Sequence, residues 1–458
     1  MVETEGSQQT VDEDRTDVLN RLKEYPHLLE EIFMTLNIAT LLQVECTTPL
    51  VLQMTPTSIW ERIWQRNVMV SPTWKLLTAR LEHTDPQLFI GMKKGSICSF
   101  RRACCRVQQS IEQILRYDVK DQYQLGQFAT NAGFQVDERN VYVYCGSKIT
   151  VINRWTRQIV KELYLNCIVH DMLVRDGFIF LEFYDSRLSI FDIHSYKEIQ
   201  TLRVTNDYPF LEGICFQHGF LAVVTMSRNM KSLMVTTRRW NASTKQFGPD
   251  IENSTIIENF GFGLWMWTTR AYLDHKFLII DTYRADRSMR VTKVMDAKSL
   301  KQLTQRTFNT AHIFSDTIKE ECHNGVMIVQ NDSKEGCYLA AWDVEKDTIQ
   351  PISNLPQLSK EHIIIASAAV AINPNCQFML SVRHCEPVNF HVLSVEEWRR
   401  VDDSLALKDF NSEIGPHQIK EWSWRKDPFY FDGVQLLWCG GDYLNVIDFL
   451  PTPNIQNL

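Results

Sequence analysis

"VYVYCGSKITVINRWTRQIV", residues 141–160, and "FIFLEFYDSRLSIFDIHSYKEIQTL", residues 178–202, decide how the larger part of this chain is read. Each holds an apolar run, a tight polar turn (Cys145 to Lys148, Asp185 to Arg187), a second apolar run, a polar corner and a third run. Short runs rich in Val, Ile, Phe and Tyr, punctuated by Gly, Ser and Asp, are what hairpin strands look like. Five further copies begin near Phe220, Phe277, Val326, Phe378 and Val434, which makes seven.

Successive copies start 37 to 57 residues apart. That spacing suits four-stranded blades with variable loops and is too irregular for a helical solenoid. Seven half-buried hairpins in a row leave sheet edges exposed unless the array closes on itself. An all-β propeller, seven-bladed, is therefore expected over residues 118–458. The last copy ends by Leu450, so the segment Tyr123 to Phe128 is expected to supply its outer strand and fasten the ring. Two copies end their second strand on an aromatic residue followed by Asp, Phe191-Asp192 and Trp342-Asp343, and so resemble the WD-repeat family.

Upstream the spacing is helical. In "YPHLLEEIFMTLNIATLL", residues 25–42, Leu28, Leu29, Ile32, Phe33 and Leu36 form an amphipathic stripe, Pro26 suits a first turn, and Asn37 is a stop. Glu30 and Glu31 are expected near the start, where the helix dipole favours carboxylates. Three turns are too few to be stable alone, so the stripe must be buried against something. Leu41 and Val44 continue the apolar pattern, and Ile59, Trp60, Ile63 and Trp64 close a helical module over residues 21–70. Residues 71–117 read as linker helices, including an Asp85-Pro86 helix start, and Arg101, Arg102 and Arg106 are assigned to a solvated face. Residues 1–20, with six acidic residues against Arg15, read as a disordered acidic tail.

Residues 25–64 resemble an F-box: Tyr25-Pro26 stands for the family's opening Leu-Pro, the stripe for its first helix, and Ile59-Trp60 for its Leu-Trp ending. F-box proteins with WD-type propellers are substrate receptors of cullin-RING ubiquitin ligases. The resemblance implies that Pro26, Leu28, Leu29, Ile32, Phe33 and Leu36, with Leu41, Val44, Trp60 and Trp64 behind them, bind a Skp-type adaptor. It also implies that the propeller holds a protein substrate, on the face carrying the turns between each blade's second and third strands. Several of those turns are basic: Arg187, Arg228, Lys231, Arg284, Arg287, Arg290 and Arg383 are the expected substrate-binding set, suited to an acidic or phosphorylated peptide. Two other readings stand beside this one, a propeller scaffold with a helical cap and no ligase link, and a propeller enzyme.

Composition narrows the choice. A net charge of −7 argues against a nucleic-acid binder, and the longest nearly unbroken apolar run, Ile363 to Ile372, is about half a membrane span. Twelve scattered cysteines with no CxxC pair spell neither a zinc module nor a disulfide framework, and with no secretory signal a cytoplasmic or nuclear setting is expected. No nucleophile elbow, phosphate loop, HExxH or dinucleotide fingerprint is present, and "GFGLWMWTT" at Gly261 reads as a loop entering a strand. A non-catalytic receptor without metal or cofactor is the expectation.

Overall fold

The computed structural model describes residues 25–36, 41, 59–65 and 74–106 with short breaks, 121–128, most of 132–351, and strand residues 362–365, 378–383, 389–394, 429–431, 435–440 and 443–448. The tail 1–20, Val44, Lys231, Arg284, Arg287 and the Gly261 loop lie outside the described residues. The chain divides into two compact units, Met1–Arg116 with Leu450–Leu458, and Tyr117–Phe449.

In the second unit the described strands form seven antiparallel sheets, numbered 1 to 7 in chain order. Each hairpin read from the sequence forms two adjacent strands of one sheet, such as Asn140–Cys145 with Lys148–Asn153 in sheet 1 and Phe178–Phe183 with Arg187–Asp192 in sheet 2. A further strand precedes each pair: Gly133–Val136 in sheet 1, Val169–Arg175 in sheet 2, Phe210–Gln217 in sheet 3 and Thr268–Leu273 in sheet 4. These leading strands meet those of the neighbouring sheets, so the unit is a propeller-like all-β domain.

Sheet 7 takes its outer strand from far away in sequence. Asp121–Gln127 pairs antiparallel with Tyr443–Asp448, from Asp121 opposite Asp448 to Gln127 opposite Tyr443. The expected outer strand of the last copy is thus borne out. The apolar residues of this junction, among them Leu125, Phe134, Val141, Val143, Leu437, Leu444 and Val446, form one cluster that joins sheet 7 to sheet 1.

The expectation of half-buried hairpins needs correction. Phe180, Leu188 and Ile190 of sheet 2 pack on Phe216, Leu221 and Val223 of sheet 3, while Ile179, Leu181 and Phe183 pack on Tyr142, Ile149 and Val151 of sheet 1. Both faces of the hairpin strands are covered, so they read as continuous apolar runs rather than as alternation. Outer strands differ: Ile159–Tyr164 and Glu198–Arg203 are exposed or partly exposed throughout.

One turn recurs. After the third strands of sheets 1 to 5 an Asn or Asp (Asn153, Asp192, Asn241, Asp296, Asp343) accepts hydrogen bonds from backbone N–H groups two or three residues on. Four residues after it the chain turns left-handed, at Arg157, Tyr196, Lys245, Leu300 and Asp347, with φ between 52° and 62°. Asx side chains are suited to such turns because they replace backbone acceptors.

In the first unit, helix α1 spans Pro26–Thr35, α2 Trp74–Thr84 and α3 Pro86–Lys93. The Asp-Pro start is borne out, since the Asp85 carboxylate accepts from Leu88 N–H at 3.0 Å and caps α3. Its other oxygen takes a hydrogen bond from Arg106 Nη2 at 2.7 Å, which moves Arg106 out of the expected solvated face. Burial lowers the pKa of that guanidinium, against the opposing pull of Asp85.

Candidate functional site

Two surfaces carry the expected docking residues, one in each unit. The first is helix α1. Phe33 is buried, its ring stacked on Trp60 with centroids 5.0 Å apart, and Trp60 stacks on Trp64 at 6.3 Å. Leu41, Ile59 and Ile63 are buried as well, and Leu36 is half-buried. Glu30 and Glu31 do not sit in the first turn as expected. Glu30 instead receives a fork from Arg62, Nε to Oε1 at 2.7 Å and Nη2 to Oε2 at 2.6 Å. A forked pair adds directional geometry to its charge, although an exposed one contributes little to stability.

The other flank of α1 faces outward. Leu28 is 39% exposed and Ile32 45%, and their offset of four places them along one stripe, with Tyr25, the residue before the helix, 50% exposed at its start. The single amphipathic stripe of the sequence therefore divides in two, with Phe33 turned inward and Leu28 and Ile32 outward. The side chains of Pro26 and Leu29 lie outside the described residues.

The second surface is the end of the β unit that carries the hairpin turns between second and third strands. The connections between sheets arrive at the same end, since Val169 lies opposite Phe183, and Phe210 opposite Met226. Arg187 is there, with Nε on Asp185 Oδ2 at 2.6 Å, Nη2 on Cys167 Sγ at 2.7 Å, and its guanidinium over the Phe183 ring. The Asp185 hydrogen bond raises its pKa. Arg228 is exposed and donates from Nε to the Asn206 carbonyl at 2.9 Å. Arg383 ends its strand opposite Asn389, its side chain outside the described residues.

Arg290 is a correction. It is 2% exposed, inside sheet 4, and forks onto the Asp281 carboxylate with Thr292 as a second partner. Register explains this, because Arg290 is already a strand residue paired with Tyr283 and its side chain enters the sheet's interior. It does not belong to a binding rim.

Sequence reasoning passed over three rim residues, Tyr164, Ile168 and Tyr184, which are 73%, 57% and 66% exposed. The available signal was an apolar residue in a turn, at the last position of a strand or just before one, where polar residues are usual. Among the described residues no three His, Cys, Asp or Glu side chains gather as a metal site, and no helix is long and apolar enough to cross a membrane.

No protein-family model matches this chain, and no curated protein matches it. Solved structures similar to it include BamB from Moraxella catarrhalis (TM-score 0.40, 8% identity, covering 69% of this chain and 84% of that one). Hsv2 from Kluyveromyces lactis has a TM-score of 0.37 at 13% identity, covering 57% and 80%. The computationally designed Ika8 protein has a TM-score of 0.41 at 10% identity, covering 71% and 99%.

Proposed function

We propose that this chain is the non-catalytic substrate-recognition subunit of an SCF-type (Skp-cullin-F-box) ubiquitin ligase. Residues 25–64 bind a Skp-type adaptor, and the seven sheets are the blades of one propeller whose turn-bearing rim holds a protein substrate. The observation that carries this reading is the two-sided helix α1. One flank is packed through the Phe33–Trp60 stack and joined to Arg62 by Glu30, while Leu28 and Ile32 stand exposed on the other and Tyr25 at the helix start. An isolated helix of three turns is marginal, and apolar side chains held outward on a braced helix suit an obligate interface, which resembles a core cut in half.

The test is co-expression with a Skp-type adaptor and measurement of the complex by titration calorimetry. Wild type binds it, and the Leu28→Glu/Ile32→Glu variant does not while its β unit stays folded. If wild type has no measurable affinity for the adaptor, the ligase reading fails and a scaffold with a helical cap takes its place.

A further inference from the structure

The rim between sheets 1 and 2 carries exposed apolar side chains beside the expected Arg187. Residues 163–168, the end of the outer strand and the connection after it, alternate: Leu163, Leu165 and Cys167 pack partly buried on the core between the two sheets, while Tyr164, Asn166 and Ile168 are exposed. Backbone bonds hold the segment over the sheet 1 turn, with Leu165 N–H on the Ser147 carbonyl at 2.7 Å and Val169 N–H on the Gly146 carbonyl at 2.8 Å. Tyr184, at the sheet 2 turn, sets its ring edge-on to His170 at 4.8 Å, and His170 Nδ1 lies 2.8 Å from the buried Glu182 carboxylate. Aromatic and aliphatic side chains therefore stand on a braced frame, which spares a ligand the entropy of ordering it.

The charges of this patch are paired within it. Lys148 meets Glu162 at 2.6 Å, and the Tyr164 hydroxyl donates to the same carboxylate at 3.1 Å. Arg187 meets Asp185 at 2.6 Å. An anionic ligand would compete with Asp185 for Arg187 and with Glu162 for Lys148, whereas an uncharged one leaves both pairs undisturbed.

Resting on the reading of this rim as the substrate face, we infer that Tyr164, Ile168 and Tyr184 form the docking patch for an uncharged, aliphatic- and aromatic-rich segment of the protein substrate. Tyrosine is among the residues enriched at the few positions that dominate an interface's binding energy. A phosphorylated or acidic segment is the competing occupant.

The experiment selects binders to the full-length protein from a random peptide library. Synthetic versions, each with a phosphoserine-containing and a glutamate-rich counterpart, are then measured by fluorescence anisotropy. The expected binders are uncharged and apolar, with affinity that changes little between low and moderate salt. Tyr164→Ala and Tyr184→Ala each weaken them roughly tenfold or more, corresponding to about 1.4 kcal/mol. Tyr164→Phe and Tyr184→Phe, which keep the ring, retain most of the binding and control for folding. Enrichment of acidic or phosphorylated binders with steep salt dependence, indifference to both alanine variants, or no enrichment at all would overturn the inference. Adaptor binding is measured on the same preparations, so loss of adaptor affinity with intact peptide binding counts against the ligase reading alone.

Discussion

The Arg154 guanidinium, withdrawn from solvent, donates from Nε to Gln435 Oε1 at 2.9 Å, bridging sheet 1 and sheet 7 across 281 residues of chain. Its Nη1 donates to the Asp137 carbonyl at 2.9 Å, and Gln435 Nε2 reaches both Asp448 and the hydroxyl of Tyr123 on the fastening strand. Buried polar networks are worth most when every member is satisfied. Arg154→Met should therefore cost about 2–4 kcal/mol by leaving Gln435 and the Asp137 carbonyl short of a donor, and Tyr123→Phe about 1 kcal/mol. Urea denaturation followed by the strand signal in circular dichroism checks both. Because the two residues share Gln435, the double variant should lose less than the sum.

Removing one partner of the Asp281–Arg290 pair is a different experiment from removing both. Both side chains are almost fully buried, so Arg290→Met strands a carboxylate inside sheet 4 and should destabilise by about 3–5 kcal/mol. The Asp281→Leu/Arg290→Met variant, with no charge left to bury, should recover most of that loss. A single variant as stable as wild type would mean that the pair is not buried in solution.

Acid sensitivity should follow the Asx turns. Backbone N–H donation from Ser195 holds the Asp192 carboxyl below its ordinary pKa, and Ser299 does the same for Asp296. A depressed folded pKa means stability that is present above the unfolded value, about 4, and lost as pH falls through the folded value. Asn153 and Asn241 occupy the same turn position and do not titrate. The Asp192→Asn/Asp296→Asn variant keeps the acceptors and should lose less stability than wild type below about pH 4. Thermal melts at pH 7, 4 and 3 check this, and parallel curves would refute it.

What was legible in the sequence follows from where the physics is local. Turn chemistry at Cys145–Lys148 and Asp185–Arg187, and apolar runs such as Phe178–Phe183, located the hairpins; the unmatched last copy pointed to the strand at Asp121–Gln127. Apart from the strand entered from the Gly261 stretch, Thr268–Leu273, the leading strands were not read, because segments such as Val169–Arg175 mix His170, Asp171 and Arg175 with their apolar residues and lack a clean period. The same limit applies to the docking residues. An arginine near a turn reads alike whether its side chain enters the sheet, as at Arg290, or meets a local carboxylate, as at Arg187. The two-residue alphabet of the WD ending was too narrow as well: what recurs is an Asn or Asp after an apolar residue, and the backbone needs only its acceptor.

The left-handed residue of the recurring turn offers the last prediction, since it separates backbone strain from packing. None of the five is glycine, although a side chain costs roughly 1–2 kcal/mol in this conformation. Lys245, at φ 53°, is exposed, so Lys245→Gly removes the strain and loses little contact. Glycine's extra freedom in the unfolded chain takes back about 0.4–1 kcal/mol, leaving a net gain of about 0.5–1 kcal/mol. Leu300 has the same conformation, φ 55°, but is 4% exposed and belongs to the core between sheets 3 and 4. Leu300→Gly relieves the same strain and empties a packed site, where deletion of a leucine side chain costs about 2–5 kcal/mol. Urea midpoints should therefore move in opposite directions, up for Lys245→Gly and down for Leu300→Gly. A fall in both would mean that the turn depends on its side chains rather than on the Asx acceptor that opens it.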